Sequence, residues 1–205
     1  MIPQEMIDHI HRTVVWRRLD GLGIEHCSLA ERADGWQIQG TVIHAERSPL
    51  LVRYHVTCDA LWRTRTVAIE IDTGRGLQTL GMTVDEERRW WSAGVELVAF
   101  RGCDDVDLGV TPATNTLPIR RLNLAIGETR GVTAAWLQFP DLQSEPLSQH
   151  YTRLDARRYR YESGGGAYTT EITVDELGLV THYADGWERI ATADRTTESD
   201  VRSTA

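Results

Sequence analysis

The chain has 205 residues, a 41% hydrophobic fraction and a formal net charge of −8. This suits one folded domain with a sizeable core and argues against a general nucleic-acid binder, because counterion release needs a basic face. All 22 basic residues are Arg, and the three cysteines, Cys27, Cys58 and Cys103, are widely spaced with no CxxC, which points to a reduced compartment rather than a disulfide framework.

Apolar positions at Ile2, Met6, Ile10 and Val14 have a helix-like spacing and predict a short helix or an arm. The N-terminus has no basic n-region, and no window approaches the roughly 20 apolar residues of a membrane span, so a cytoplasmic protein is expected. From Trp16 the texture changes to short strands bounded by turns such as Asp20-Gly21 and Asp34-Gly35. Ile24–Leu29 is a first candidate strand. Trp36, Ile38, Gly40 and Val42 alternate with polar partners, as do Val52, Tyr54 and Val56 after Ser48-Pro49. In the run Trp62–Ile71, the alternation puts Arg63 and Arg65 on the same face as Val67, Ile69 and Ile71. Leu77–Val84 and Trp90–Phe100 make a further pair, joined by Asp85-Glu86-Glu87-Arg88-Arg89, which reads as a solvated connection.

The stretch Asp104–Leu122 has neither helical nor strand periodicity throughout. Pro112 and Pro118 bias Thr111 and Leu117 toward extended geometry, and Thr111, Thr114, Asn115 and Thr116 can bond their own backbone, so an ordered polar loop is expected. Beyond it come Thr133–Phe139, Leu147–Leu154, Arg157–Glu162, Ala167–Val174, Val180–Tyr183 and Trp187–Ile190, with Gly164-Gly165-Gly166 as a hairpin connection. Residues 193–205 read as a polar tail. About ten to twelve short strands predict an all-β roll, barrel or sandwich occupying residues 1–192 as one domain.

Asp104, Asp105 and Asp107 lack the order of a calcium loop and the distal Glu, and ion pairing with Arg120 and Arg121 is the simpler role. His9 and His11 come without a third ligand. No metal and no cofactor are therefore expected. There is no GxSxG elbow and no cysteine nucleophile motif. The stronger clue is the mixture of Trp, Tyr and Arg in the β runs, which suits an amphipathic ligand with an anionic or sugar head as well as it suits an aromatic core.

Three segments carry a family resemblance. They are Asp59-Ala60-Leu61-Trp62-Arg63-Thr64-Arg65, Asp105-Val106-Asp107-Leu108, and Thr111-Pro112-Ala113-Thr114-Asn115-Thr116-Leu117-Pro118-Ile119-Arg120-Arg121-Leu122. With Gln149-His150-Tyr151, the Val174–Val180 turn and Tyr183–Arg189, they make the region from about Trp16 to Ile190 resemble the bacterial Putative glycolipid-binding family. The resemblance implies a spiral β-roll, a wrapped antiparallel sheet similar in shape to periplasmic lipoprotein carriers, and a lipid or glycolipid ligand. It brings no catalytic residues. On this reading Trp62 and Trp187 contact the apolar part of the ligand, while Arg63, Arg65, Arg120 and Arg121 hold an anionic head. Asn115 and Thr116 bond sugar hydroxyls, with Asp107 and Tyr151 beside them. The alternatives are an enzyme using the Asp104–Arg121 region on a glycosylated or lipid-like small molecule, and a structural plug whose Asp–Arg pairs determine the fold.

Overall fold

The computed structural model describes residues 9–45, 49–184 and 186–194. Among these residues, two-residue alternation of apolar and polar side chains yields fifteen strands rather than ten to twelve: β1 (His9–Arg18), β2 (Gly23–Arg32), β3 (Gly35–Ala45), β4 (Pro49–Asp59), β5 (Thr64–Asp72), β6 (Leu77–Val84), β7 (Trp90–Ser92), β8 (Val95–Glu96), β9 (Asp105–Leu108), β10 (Thr129–Leu137), β11 (Ser144–Arg153), β12 (Arg158–Ser163), β13 (Tyr168–Val174), β14 (Val180–Tyr183) and β15 (Trp187–Asp194). They form one curled, open sheet in the order β8-β7-β6-β5-β4-β3-β2-β1-β15-β14-β13-β12-β11-β10-β9. Successive strands pair antiparallel from β1 to β8 and from β10 to β15, β1 joins β15, and β9 runs parallel to β10, which leaves β8 and β9 at the two ends of the sheet. The β9 end curls back to the start of β5, where Val106 N–H donates to Thr64 Oγ1 at 3.0 Å and Thr64 N–H donates to the Asp104 carbonyl at 2.9 Å.

The central stretch fills the inside of this curl and is not an open loop. It contains β9, a 3-10 turn over Ala113–Asn115 and one helix, α1 (Thr116–Leu122). Pro118 sits in the first turn of α1, where no intrahelical donor is required, and Asn123 ends the helix in the left-handed region (φ 42°). Val106, Leu108, Val110, Ala113, Leu117 and Ile119 are all buried. Each large apolar side chain removed from water there contributes about 1.5–3 kcal/mol. This burial outweighs the extended bias set by the prolines.

Three local expectations are corrected. Residues 9–15 belong to a strand, because hydrogen bonding to β2 on one edge and β15 on the other overrides the helix-like spacing; Ile2 and Met6 lie outside the described residues. Arg65 does not continue the apolar face of β5. Thr57 pairs with Thr66 and Cys58 with Thr64, so Arg65 is the extra residue of a bulge and Thr64 is the buried one. Arg88 is not solvated: it donates to the carbonyls of Thr64, Cys103 and Asp104 at 2.8–2.9 Å, tying β5 to the strand that closes the curl. The last strand, β15, runs to Asp194.

Candidate functional site

The parallel pairing of β9 with β10 brings Asp107 opposite Trp136, while Gln149 and Tyr151 follow on β11. Asp107 stands at the base of a cleft of about 600 Å³. Five aromatic residues wall this cleft: Trp136, Tyr161, Tyr168, Tyr183 and Trp187. Tyr161 is the hub of the tyrosines, with ring centroids 5.1, 6.1 and 6.4 Å from those of Tyr151, Tyr168 and Tyr183. Arg18 forms part of the rim; its guanidinium lies 5.5 Å from the centre of the Trp187 ring and donates twice to Asp20, at 2.8 and 2.6 Å.

The polar floor is a connected network. Gln149 Nε2 donates to Asp107 Oδ2 at 2.6 Å, and the Tyr151 hydroxyl donates to Asn115 Oδ1 at 2.9 Å. Asn115 Nδ2 in turn donates to the Pro112 carbonyl at 3.2 Å. Burial pushes the Asp107 carboxyl up to about 6, against the lowering effect of Gln149 and Thr114. Among the described residues, no cation pairs with Asp107. Aromatic faces over a carboxylate and an amide can stack on a sugar ring or an acyl chain and bond hydroxyls beneath it.

Behind the cleft lies a second polar cluster. Thr111, a cleft residue, accepts from Ala113 N–H at 3.0 Å and donates to Glu25 Oε1 at 2.7 Å. The Tyr54 hydroxyl donates to the same oxygen, while Glu25 Oε2 is buried with no hydrogen-bond partner. Burial raises the Glu25 carboxyl to about 8, so it is neutral at pH 7. Gly40 makes room for this cluster, since a Cβ there would overlap the Tyr54 phenol.

The ten residues singled out from the sequence fall into several groups. Asp107, Asn115 and Trp187 line the aromatic cleft, with Tyr151 bonded directly behind Asn115. Thr116 is fully buried and donates to the Gly178 carbonyl at 3.1 Å. Trp62 stacks on Trp36 with centroids 4.5 Å apart, and its backbone has a φ of 67°. Asp59 holds that turn: it accepts from Leu61 N–H, Arg63 N–H and Arg63 Nε at 2.8–2.9 Å, with Arg65 3.7 Å away. Arg121 grips buried Asp105 with two hydrogen bonds, at 3.1 and 2.5 Å, and lies 3.3 Å from Asp104. Arg120 lies over Trp62 and faces a different cleft. Tyr183, Gln149, Arg18 and Glu25 were not assigned roles from the sequence. The one signal for Glu25 was a charged residue in the inward phase of Ile24–Leu29, since Ile24 points out.

Comparison with solved structures places this arrangement among known folds. A crystal structure of a DUF1089 family protein from Pseudomonas aeruginosa is 33% identical over 85% of this chain and 95% of that one, with a TM-score of 0.75. A β-barrel-like protein of domain of unknown function DUF1849 from Brucella abortus shares the fold at 7% identity, covering 93% of this chain and 100% of that one, with a TM-score of 0.54. No curated protein matches the sequence. The model of the family described as "Putative glycolipid-binding" matches residues 13–189, and the chain belongs to that family.

Proposed function

We propose that the protein binds a glycolipid or a related amphiphile, with the sugar or other polyol head seated in the aromatic cleft above Asp107 and Asn115. The observation that carries this reading is the pairing of five aromatic walls with a carboxylate that has no cationic partner among the described residues. Sugars present apolar C–H faces and hydroxyl edges, and this cleft offers ring faces and acceptors in the matching arrangement. The family description supports the same ligand class. Trp187 and Trp136 stack on the ligand, while Asp107 and Asn115 accept from hydroxyls. The site works as a binding module in the cytoplasm, with no chemical step.

Native mass spectrometry of protein purified gently from its own host, followed by organic extraction, tests this directly. The expected result is a co-purifying amphiphile of discrete mass that is absent from a Trp187→Ala variant of unchanged stability. Retention of the same species by that variant would place the ligand elsewhere.

A further inference from the structure

On the far side of α1 lies a separate cleft of about 510 Å³, lined by Arg120, Arg153, Arg157, Tyr159, Asn123 and the Asp175–Gly178 turn among others. The carboxylates at its edge are already engaged. Asp175 accepts from Arg12 at 2.7 Å, Arg189 at 2.5 Å, and the backbone N–H groups of Leu177 and Leu179 at 2.9 and 3.0 Å. Glu176 is shared by Arg12 at 2.6 Å and Arg157 at 3.2 Å.

Arg120 and Arg153 are bonded differently. Arg153 donates only to the carbonyls of Leu124, Asp155 and Ala156, at 2.7–3.1 Å. Arg120 donates once, to the Glu176 carbonyl at 3.3 Å, and its aliphatic stem packs beside Gly178. Among the described arginines, Arg75, Arg120 and Arg153 alone have no carboxylate within ion-pair distance. Two of those three meet in this cleft, in a chain whose net charge is −8. The Arg153 guanidinium lies 5.8 Å from the centre of the Tyr159 ring. The Tyr159 hydroxyl makes no hydrogen bond to any described residue, and burial raises its pKa above the ordinary tyrosine value against the lowering effect of nearby Arg153 and Arg120, so it stays a protonated donor.

From this geometry we infer a second ligand site, for a dianionic phosphate monoester. Arg120 and the N–H groups of Arg157 that Glu176 does not engage supply the donors, the Tyr159 hydroxyl donates from the floor, and Arg153 fixes positive charge behind it. Guanidinium groups present paired donors that match tetrahedral oxyanions. The site does not depend on the aromatic cleft or on the ligand proposed for it.

The test is calorimetric titration at low ionic strength with inorganic phosphate, with glycerol 1-phosphate, and with vesicles of phosphatidic acid in phosphatidylcholine. Acetate serves as a monoanion control. The expected result is saturable binding of phosphate and its monoester, weak binding of acetate, and at least a tenfold loss in Arg120→Gln at an unchanged melting temperature. Tyr159→Phe weakens binding less, and Trp187→Ala leaves it intact. Binding of the soluble ester identifies a free metabolite as the natural ligand type, and binding of the vesicles alone identifies a lipid head group at the same site. No saturable binding by any of the three probes, or binding of equal strength in Arg120→Gln, overturns the inference.

Discussion

Glu25 is fully buried on β2, its two hydrogen bonds fall on one oxygen, and among the described residues no cation faces it. Its carboxyl therefore titrates near 8 in the folded protein, against 4.5 for the free side chain. Because the folded-state value is raised, the folded protein binds the extra proton between those two pH values. Stability contributed by the neutral acid is complete below about pH 4.5, declines by about 1.4 kcal/mol per pH unit as pH rises, and is gone above about pH 8. The full span is at most about 5 kcal/mol. Glu25→Gln keeps the acceptor for Tyr54 and Thr111 but cannot ionise. Any fixed cost of its amide nitrogen lowers stability equally at every pH. Urea unfolding of both proteins at pH 5, 6.5 and 8 isolates the effect, since all other titrating groups cancel in the difference. The variant should gain several kcal/mol on the wild type from pH 5 to pH 8. Parallel stability curves would refute a neutral, buried Glu25.

Arg121→Ala leaves the buried Asp105 carboxylate without its partner, and should cost about 3–5 kcal/mol in chemical denaturation; a loss below about 1 kcal/mol would show that the pair does not hold the central segment. Gly40→Ala drives a methyl into the Tyr54 phenol, so a loss of about 1–3 kcal/mol is expected, larger than in the Gly40→Ala, Tyr54→Phe double variant relative to Tyr54→Phe alone. Asp107 titrates near 6, and its ionised form accepts from ligand hydroxyls. Affinity for an alkyl glycoside should therefore be flat above about pH 7 and fall by up to about tenfold per pH unit below 6, and Asp107→Asn should abolish the slope.

The strand pattern was legible wherever one face of a strand is buried, as in β3, β4 and β13, because alternation is then imposed by the core. It failed where a second constraint acted on the same residues. At Arg65 a bulge breaks the phase, which no composition signal announces. Residues 9–15 show helical spacing, yet both edges of β1 are claimed by neighbours distant in sequence. The central stretch looked like a polar loop because its threonines were read as turn formers bonding their own backbone; in the structure Thr111, Thr114 and Thr116 are buried and satisfied by Glu25, Leu108 and Gly178. For the site, the aromatic and arginine content was visible in the sequence, but its division was not. Which arginine meets a carboxylate depends on pairings such as Arg121 with Asp105, sixteen residues apart, while the rotation of about 100° between successive helical residues turns Arg120 toward a different cleft. Tyr183 and Tyr161 come together only through the β12–β13–β14 pairing.

The measurement closest to the central claim is tryptophan fluorescence titration with a homologous series of alkyl glucosides below their micellar concentrations, on wild type, Trp187→Ala and Asp107→Asn. The account predicts saturable binding by wild type that strengthens with chain length, and at least a tenfold loss in each variant with the fold intact. Binding of equal strength in all three proteins, or a signal for the matched alkyl alcohols as large as for the glucosides, would contradict a sugar head seated above Asp107.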